Sequence, residues 1–169
     1  MKKTMIAILM SLALVAVGVS PVMAADGKDV TTLVAGGTSG SINSSAAFTA
    51  GASSKITGYV TAVAAVTIGA SASVSGNVTA GAAFTSGAYS KIKGSISAKE
   101  AFTSGANSTV GGDVTAGADF TSGANSIIVG DVYVTGDITL GANSKILGSV
   151  HTGSGVIVYG SGATVGSVK

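Results

Sequence analysis

From about residue 46 to residue 153 the chain repeats every eighteen residues, with no residue inserted or deleted. Residues 102–116, FTSGANSTVGGDVTA, show the unit. One apolar row runs Phe48, Val66, Phe84, Phe102, Phe120, Ile138. A second runs Ile56, Val74, Ile92, Val110, Ile128, Ile146. A third starts at Val60 and continues through Val78, Ile96, Val114, Val132 and Val150 to Val168. Glycine holds two more rows, one starting at Gly51 and one at Gly58. A period this strict restricts the chain to a solenoid, in which each unit stacks on its neighbours alone.

Within each unit, apolar or small residues alternate with polar ones, which is the signal of a strand with one face buried. Eighteen residues broken by glycines predict one coil of a three-sided β-helix. The expected fold class is therefore all-β, a single-domain solenoid whose even-numbered positions face inward. The alanine row Ala52, Ala70, Ala88, Ala106, Ala124, Ala142 and the serine-rich row starting at Ser54 are expected inside, near narrow corners. Glycines are expected to supply the bends. Asn107, Asn125 and Asn143 share an outward row, where their amides are expected to bond along the stack. One coil alone buries too little to offset the ordering of its backbone, so the units must come as an array.

The segments outside the array differ in kind. Residues 1–24 carry Lys2 and Lys3, an apolar run from Met5 to Val19, and Val22-Met23-Ala24, the pattern of a cleaved signal peptide. This predicts an exported protein, periplasmic or extracellular, with no membrane span after processing. Residues 25–45 read as a degenerate N-terminal coil or cap, with Val30, Gly40 and Ile42 in register, and residues 46–169 as the repeats. The final segment, SGVIVYGSGATVGSVK, has no polar cap, and an uncovered end offers unpaired backbone to another chain. Without cysteine, export brings no disulfide. Loss of Lys2 and Lys3 leaves seven lysines against seven acidic residues and no arginine. That balance lacks the basic stripe nucleic acid requires and does little to oppose self-association.

The residues offer little chemistry. His151 is the single histidine, expected on the surface, with no partner set for catalysis. The expectation is a protein that is not an enzyme and has no cofactor. Asp113 and Asp131 share one row, and Asp119 and Asp137 another; adjacent carboxylates repel and calcium would relieve them, but the calcium-binding nonapeptide of β-rolls is missing, and a solvated acidic patch is the expected reading, with no metal site. Tyr59, Tyr89, Tyr133 and Tyr159 share no row, so no aromatic platform for sugars is expected. The sharpest surface feature is an outward row of threonines, Thr49, Thr67, Thr85, Thr103, Thr121 and Thr139, flanked by alanines and glycines. A second row, Thr61, Thr79, Ser97 and Thr115, ends at Tyr133 and His151.

Residues 120–132, FTSGANSIIVGDV, and 138–150, ITLGANSKILGSV, fit a pattern V-x-I-G-x-x-A-x-V-x-G-x-V-x-A that resembles the bactofilin family. The resemblance implies a right-handed three-sided β-helix, nucleotide-free end-to-end polymerisation and a scaffolding role. Two features depart from that family: bactofilins are typically cytoplasmic, and Phe and Thr recur here where Val and charged residues are usual. The left-handed hexapeptide β-helix is the alternative, because eighteen is three sixes, but the hexads here are not equivalent. The threonine row is similar to that of bacterial ice-binding β-solenoids, which show two parallel rows on one face. The leading expectation is a structural protein whose partner is itself, assembling into filaments or matrix. The alternative is binding of ice or another extended surface by the threonine row.

Overall fold

The computed structural model describes residues 30–169, so the signal-peptide reading and residues 25–29 lie outside the described residues. The chain winds into a parallel β-solenoid of eight coils whose strands pair only with the coil before and the coil after. Each full coil contributes three short strands. In the coil that starts at Phe84 they are Phe84–Ser86 on face one, Lys91–Ile92 on face two and Ile96–Ala98 on face three. Face one is an eight-stranded sheet, from Thr32–Leu33 to Ile157–Tyr159. Faces two and three join into one fourteen-stranded sheet, because strand Lys145–Thr152 runs unbroken round their shared corner.

Register follows the repeat. Phe84 pairs with Val66 and Phe102, Ile92 with Val74 and Val110, and Ile96 with Val78 and Val114, each eighteen residues apart. The three apolar rows are buried throughout the array. Strand spacing of about 4.8 Å stacks equivalent side chains directly. The phenyl rings accordingly lie face to face, with centroids 5.3 Å apart for Phe84–Phe102 and 4.8 Å for Phe102–Phe120.

Core volume is conserved within each coil. Where face one carries a large Phe48, Phe84, Phe102 or Phe120, the next inward residue is Ala50, Ser86, Ser104 or Ser122. Where the row narrows to Val66 or Ile138, the next inward residue enlarges to Ile68 or Leu140. Swaps that keep total volume are the ones a close-packed core tolerates.

The corners depart from simple alternation. The Ala52 row is not inward: Ala52 and Ala70 are exposed and the later alanines half-buried, because the chain turns at that corner and the alternation stops. The next residue, Ser53, Ser71, Tyr89, Asn107, Asn125 or Asn143, takes the left-handed conformation, with φ between 55° and 60°. That is the role of the asparagine row, since Asn tolerates this region best among non-glycine residues. Among the described residues no hydrogen bond joins the amides of Asn107, Asn125 and Asn143 to one another. The adjacent glycines serve close approach rather than bending: a Cβ on Gly87 would lie 2.5 Å from the Ala70 nitrogen of the coil below. Gly36 and Gly162 alone among the described glycines have positive φ.

Both ends slip by one residue. Thr32 pairs with Thr49 and Ser39 with Ile56, an offset of seventeen, and eighteen is restored at Ile42–Val60. Val30 is therefore one place out of register, although it packs against the core. The last coil carries one extra residue, pairing Ile138 with Ile157 and Lys145 with Thr164 before Val150–Val168 regains eighteen.

Candidate functional site

Three surfaces differ chemically, and each traces to rows of the repeat. On face one the outward row pairs in sequence as Thr49, Thr67, Thr85, Thr103, Thr121 and Thr139. The short first coil brings Thr32 into the same line, a seventh threonine that an eighteen-residue step misses. Val158 ends the row. The hydroxyls stand on an uncharged strip bordered by Ala65, Ala83 and Ala101, with charge arriving only at Asp119 and Asp137. The second row, Thr61, Thr79, Ser97 and Thr115, lies on face three, so the two threonine rows do not share a face. Face two carries outward Lys55, Lys91 and Lys145 instead.

The corner leading into face three holds a hydrogen-bonded ladder. The Ser95 N–H donates to Asn77 Oδ1 at 3.0 Å and the Asp113 N–H to Ser95 Oγ at 3.1 Å. The Asp131 N–H donates to Asp113 Oδ1 at 2.8 Å, and the Ser149 N–H to Asp131 Oδ1 at 2.6 Å. At the opposite corner the Asp137 N–H donates to Asp119 Oδ1 and the Val156 N–H to Asp137 Oδ1. One oxygen of each aspartate thus satisfies a backbone donor of the next coil that the turn leaves without a strand partner. This is the structural role of the four carboxylates considered for calcium. Among the described residues no three His, Cys, Asp or Glu side chains gather at one point.

Beside this ladder runs a shallow groove of about 270 Å³, lined by Asn77, Val78, Thr79, Ser95, Ile96, Ser97, Asp113, Thr115 and Tyr133. Tyr133 pairs with Thr115 below and His151 above. Its ring stacks on the imidazole with centroids 4.4 Å apart and an interplanar angle of 12°. The His151 Nε2 is enclosed and has no hydrogen-bond partner. The Tyr133 hydroxyl donates to Asp131 Oδ2 at 3.5 Å. Desolvation of the phenol, and then the neighbouring charges of Asp131 and Asp113, hold its pKa above the ordinary value of 10.0. An aromatic platform therefore exists where no row of tyrosines announces one. The signal for it was two successive rungs, Tyr133 and His151, that are both aromatic in one row.

The third surface is the C-terminal end. Tyr159 pairs with Leu140 and Val168 with Val150, so all four occupy inward positions. Leu140 and Val150 are 1% and 0% exposed, whereas Tyr159 and Val168 are 47% and 52% exposed. Ile157, Ala163 and Val165 are only partly covered. Outward apolar residues gather nearby, with Ile127, Val129 and Leu147 on the late coils and Val156 and Val158 at the rim.

Comparison with models of known protein families, with curated proteins and with solved structures finds no match. The β-solenoid architecture rests on the strand pairing itself.

Proposed function

We propose that this protein is an exported, non-catalytic structural element that assembles with copies of itself through the end of its solenoid. The observation that carries this reading is the uncovered last rung. Positions that are buried in every earlier coil are exposed at Tyr159 and Val168 and only partly covered at Val165, on edge strands that each pair with a single neighbour. Such an edge is a template for pairing with another chain, and burial of each such side chain contributes about 1.5–3 kcal/mol. A near-neutral surface after loss of Lys2 and Lys3 supports the same reading. The similarity of residues 120–132 and 138–150 to bactofilins agrees with it.

Sedimentation velocity over a concentration series tests the proposal. The wild-type protein is expected to form concentration-dependent oligomers, and Val165→Asp combined with Val168→Asp to remain monomeric with its circular dichroism unchanged. A wild-type protein that stays monomeric at high concentration contradicts the proposal.

The seven-threonine strip on face one favours one further reading, docking on ice or another regular hydroxylated surface. Thermal hysteresis that vanishes in Thr85→Lys with Thr103→Lys supports it. Absence of hysteresis in concentrated wild-type protein removes it.

A further inference from the structure

The groove on face three presents a definite order of chemical groups. The corner ladder fixes one half of each side chain and leaves the other half turned to solvent. Asn77 uses its carbonyl oxygen internally and keeps its amide donors free. Ser95 accepts a backbone N–H and keeps its own hydroxyl proton free. Asp113 uses Oδ1 and keeps Oδ2 as a free acceptor. Thr79, Ser97 and Thr115 add hydroxyls that both donate and accept. The row ends at the Tyr133 ring, one face of which is covered by His151 while the other borders the groove above the smaller Thr115.

We infer that this groove is a binding site for a short neutral saccharide, with Tyr133 as the stacking platform. Three properties select that ligand class. The groove spans three rung steps, about 14 Å, which suits a few linked sugar rings and exceeds a single small ion. Its donors and acceptors are mixed, with donors on Asn77 and Ser95, an acceptor on Asp113 and hydroxyls of both kinds on Thr79, Ser97 and Thr115, which matches a polyol whose every hydroxyl both gives and takes a hydrogen bond. Its far wall is a flat aromatic face, which the apolar C–H face of a pyranose covers. The carboxylates of Asp113 and Asp131 oppose anionic ligands such as phosphates. A small organic cation would satisfy the ring and the carboxylates but leave the Asn77, Ser95 and Thr79 donors unused.

Titration of the exported protein with chitotriose, cellotriose and maltotriose, followed by amide chemical-shift mapping, tests the inference. At least one trisaccharide is expected to shift residues 77–79, 95–97, 113–115 and 133 together. Tyr133→Ala is expected to weaken that binding by about tenfold, and Tyr133→Phe to retain it. Ser97→Arg, which fills the groove from an exposed position, is expected to abolish it with thermal stability unchanged. Tyr89→Ala, on a different row, is expected to leave it intact. No response to any of the three at millimolar concentration overturns the inference. So does a response outside the groove, binding unaffected by Tyr133→Ala, or a groove that answers tetramethylammonium and none of the sugars. The groove's lining shares no residue with Tyr159, Val165 or Val168, and the two proposals are read by different variants, so either can fail while the other stands.

Discussion

At the scale of single residues, the repeat tolerates a few positions it has not optimised. The left-handed corner is held by asparagine in three coils but by Tyr89 in one, at φ 60°. A bulky side chain is the poorer occupant of that region. Tyr89→Asn is therefore expected to stabilise the protein by about 1 kcal/mol, read as a higher urea midpoint with an unchanged slope. Burial leaves the hydroxyls of Ser86 and Ser104 without partners, which carries a cost of the kind that Ser126 avoids by donating to the Gly123 carbonyl at 2.6 Å. Tyr133 titrates above the ordinary phenol range, so the neutral form is the one favoured by folding. Its contribution to stability is present below the unfolded-state value and fades as pH rises through the raised one. Tyrosinate absorbance is expected to show a late-ionising group that Tyr133→Phe removes. These residue-level features were only partly legible in the sequence. Period-2 alternation placed Phe84, Ile92 and Ile96 inside correctly, because strands impose that period. Carried through the corner, the same rule misplaced Ala52, since the chain turns there and the inward parity resumes only at Ser54. The sequence shows the four aspartates only as two rows of like charge, a solvated acidic patch with calcium as the weaker alternative, because sequence shows charge but not the backbone N–H that each oxygen meets.

At the scale of the coil, packing is a matter of summed volume rather than of any one row. Phe102 sits above Phe84 and below Phe120, with Ser104 beside it in the same coil. Phe102→Val is expected to cost about 2–3 kcal/mol through the cavity it leaves. Adding Ser104→Ile is expected to recover most of that loss, since Val66 with Ile68 fills another coil in the same way. Equilibrium denaturation of both variants checks this. A double variant no more stable than Phe102→Val would show that the coils are not interchangeable packing units. The exact period made this level the most readable: +18 names the strand partner from Ile42 to Thr152. It fails only where a residue is lost between Ser39 and Ile42 or gained after Thr152, which is why Thr32 was missed and Val30 misassigned. The groove was missed for another reason. Tyr133 and His151 look like interruptions of a threonine row until parallel pairing stacks one ring on the other.

At the scale of the molecule, a solenoid has the same cross-section at every coil, so its special places are its ends and its faces. Here the faces divide the chemistry: a threonine strip on one, lysines on the second, a polar groove with an aromatic wall on the third. The C-terminal end exposes the same rows that every earlier coil buries. If stacking is what stabilises each coil, a second molecule seated on the last one would stabilise it further, as the proposed assembly requires. Electron microscopy of the purified protein tests this most directly. Elongated assemblies a single solenoid wide, shortened to isolated rods by Val165→Asp with Val168→Asp, are the expected result. Isolated rods of wild-type protein at every concentration would contradict it.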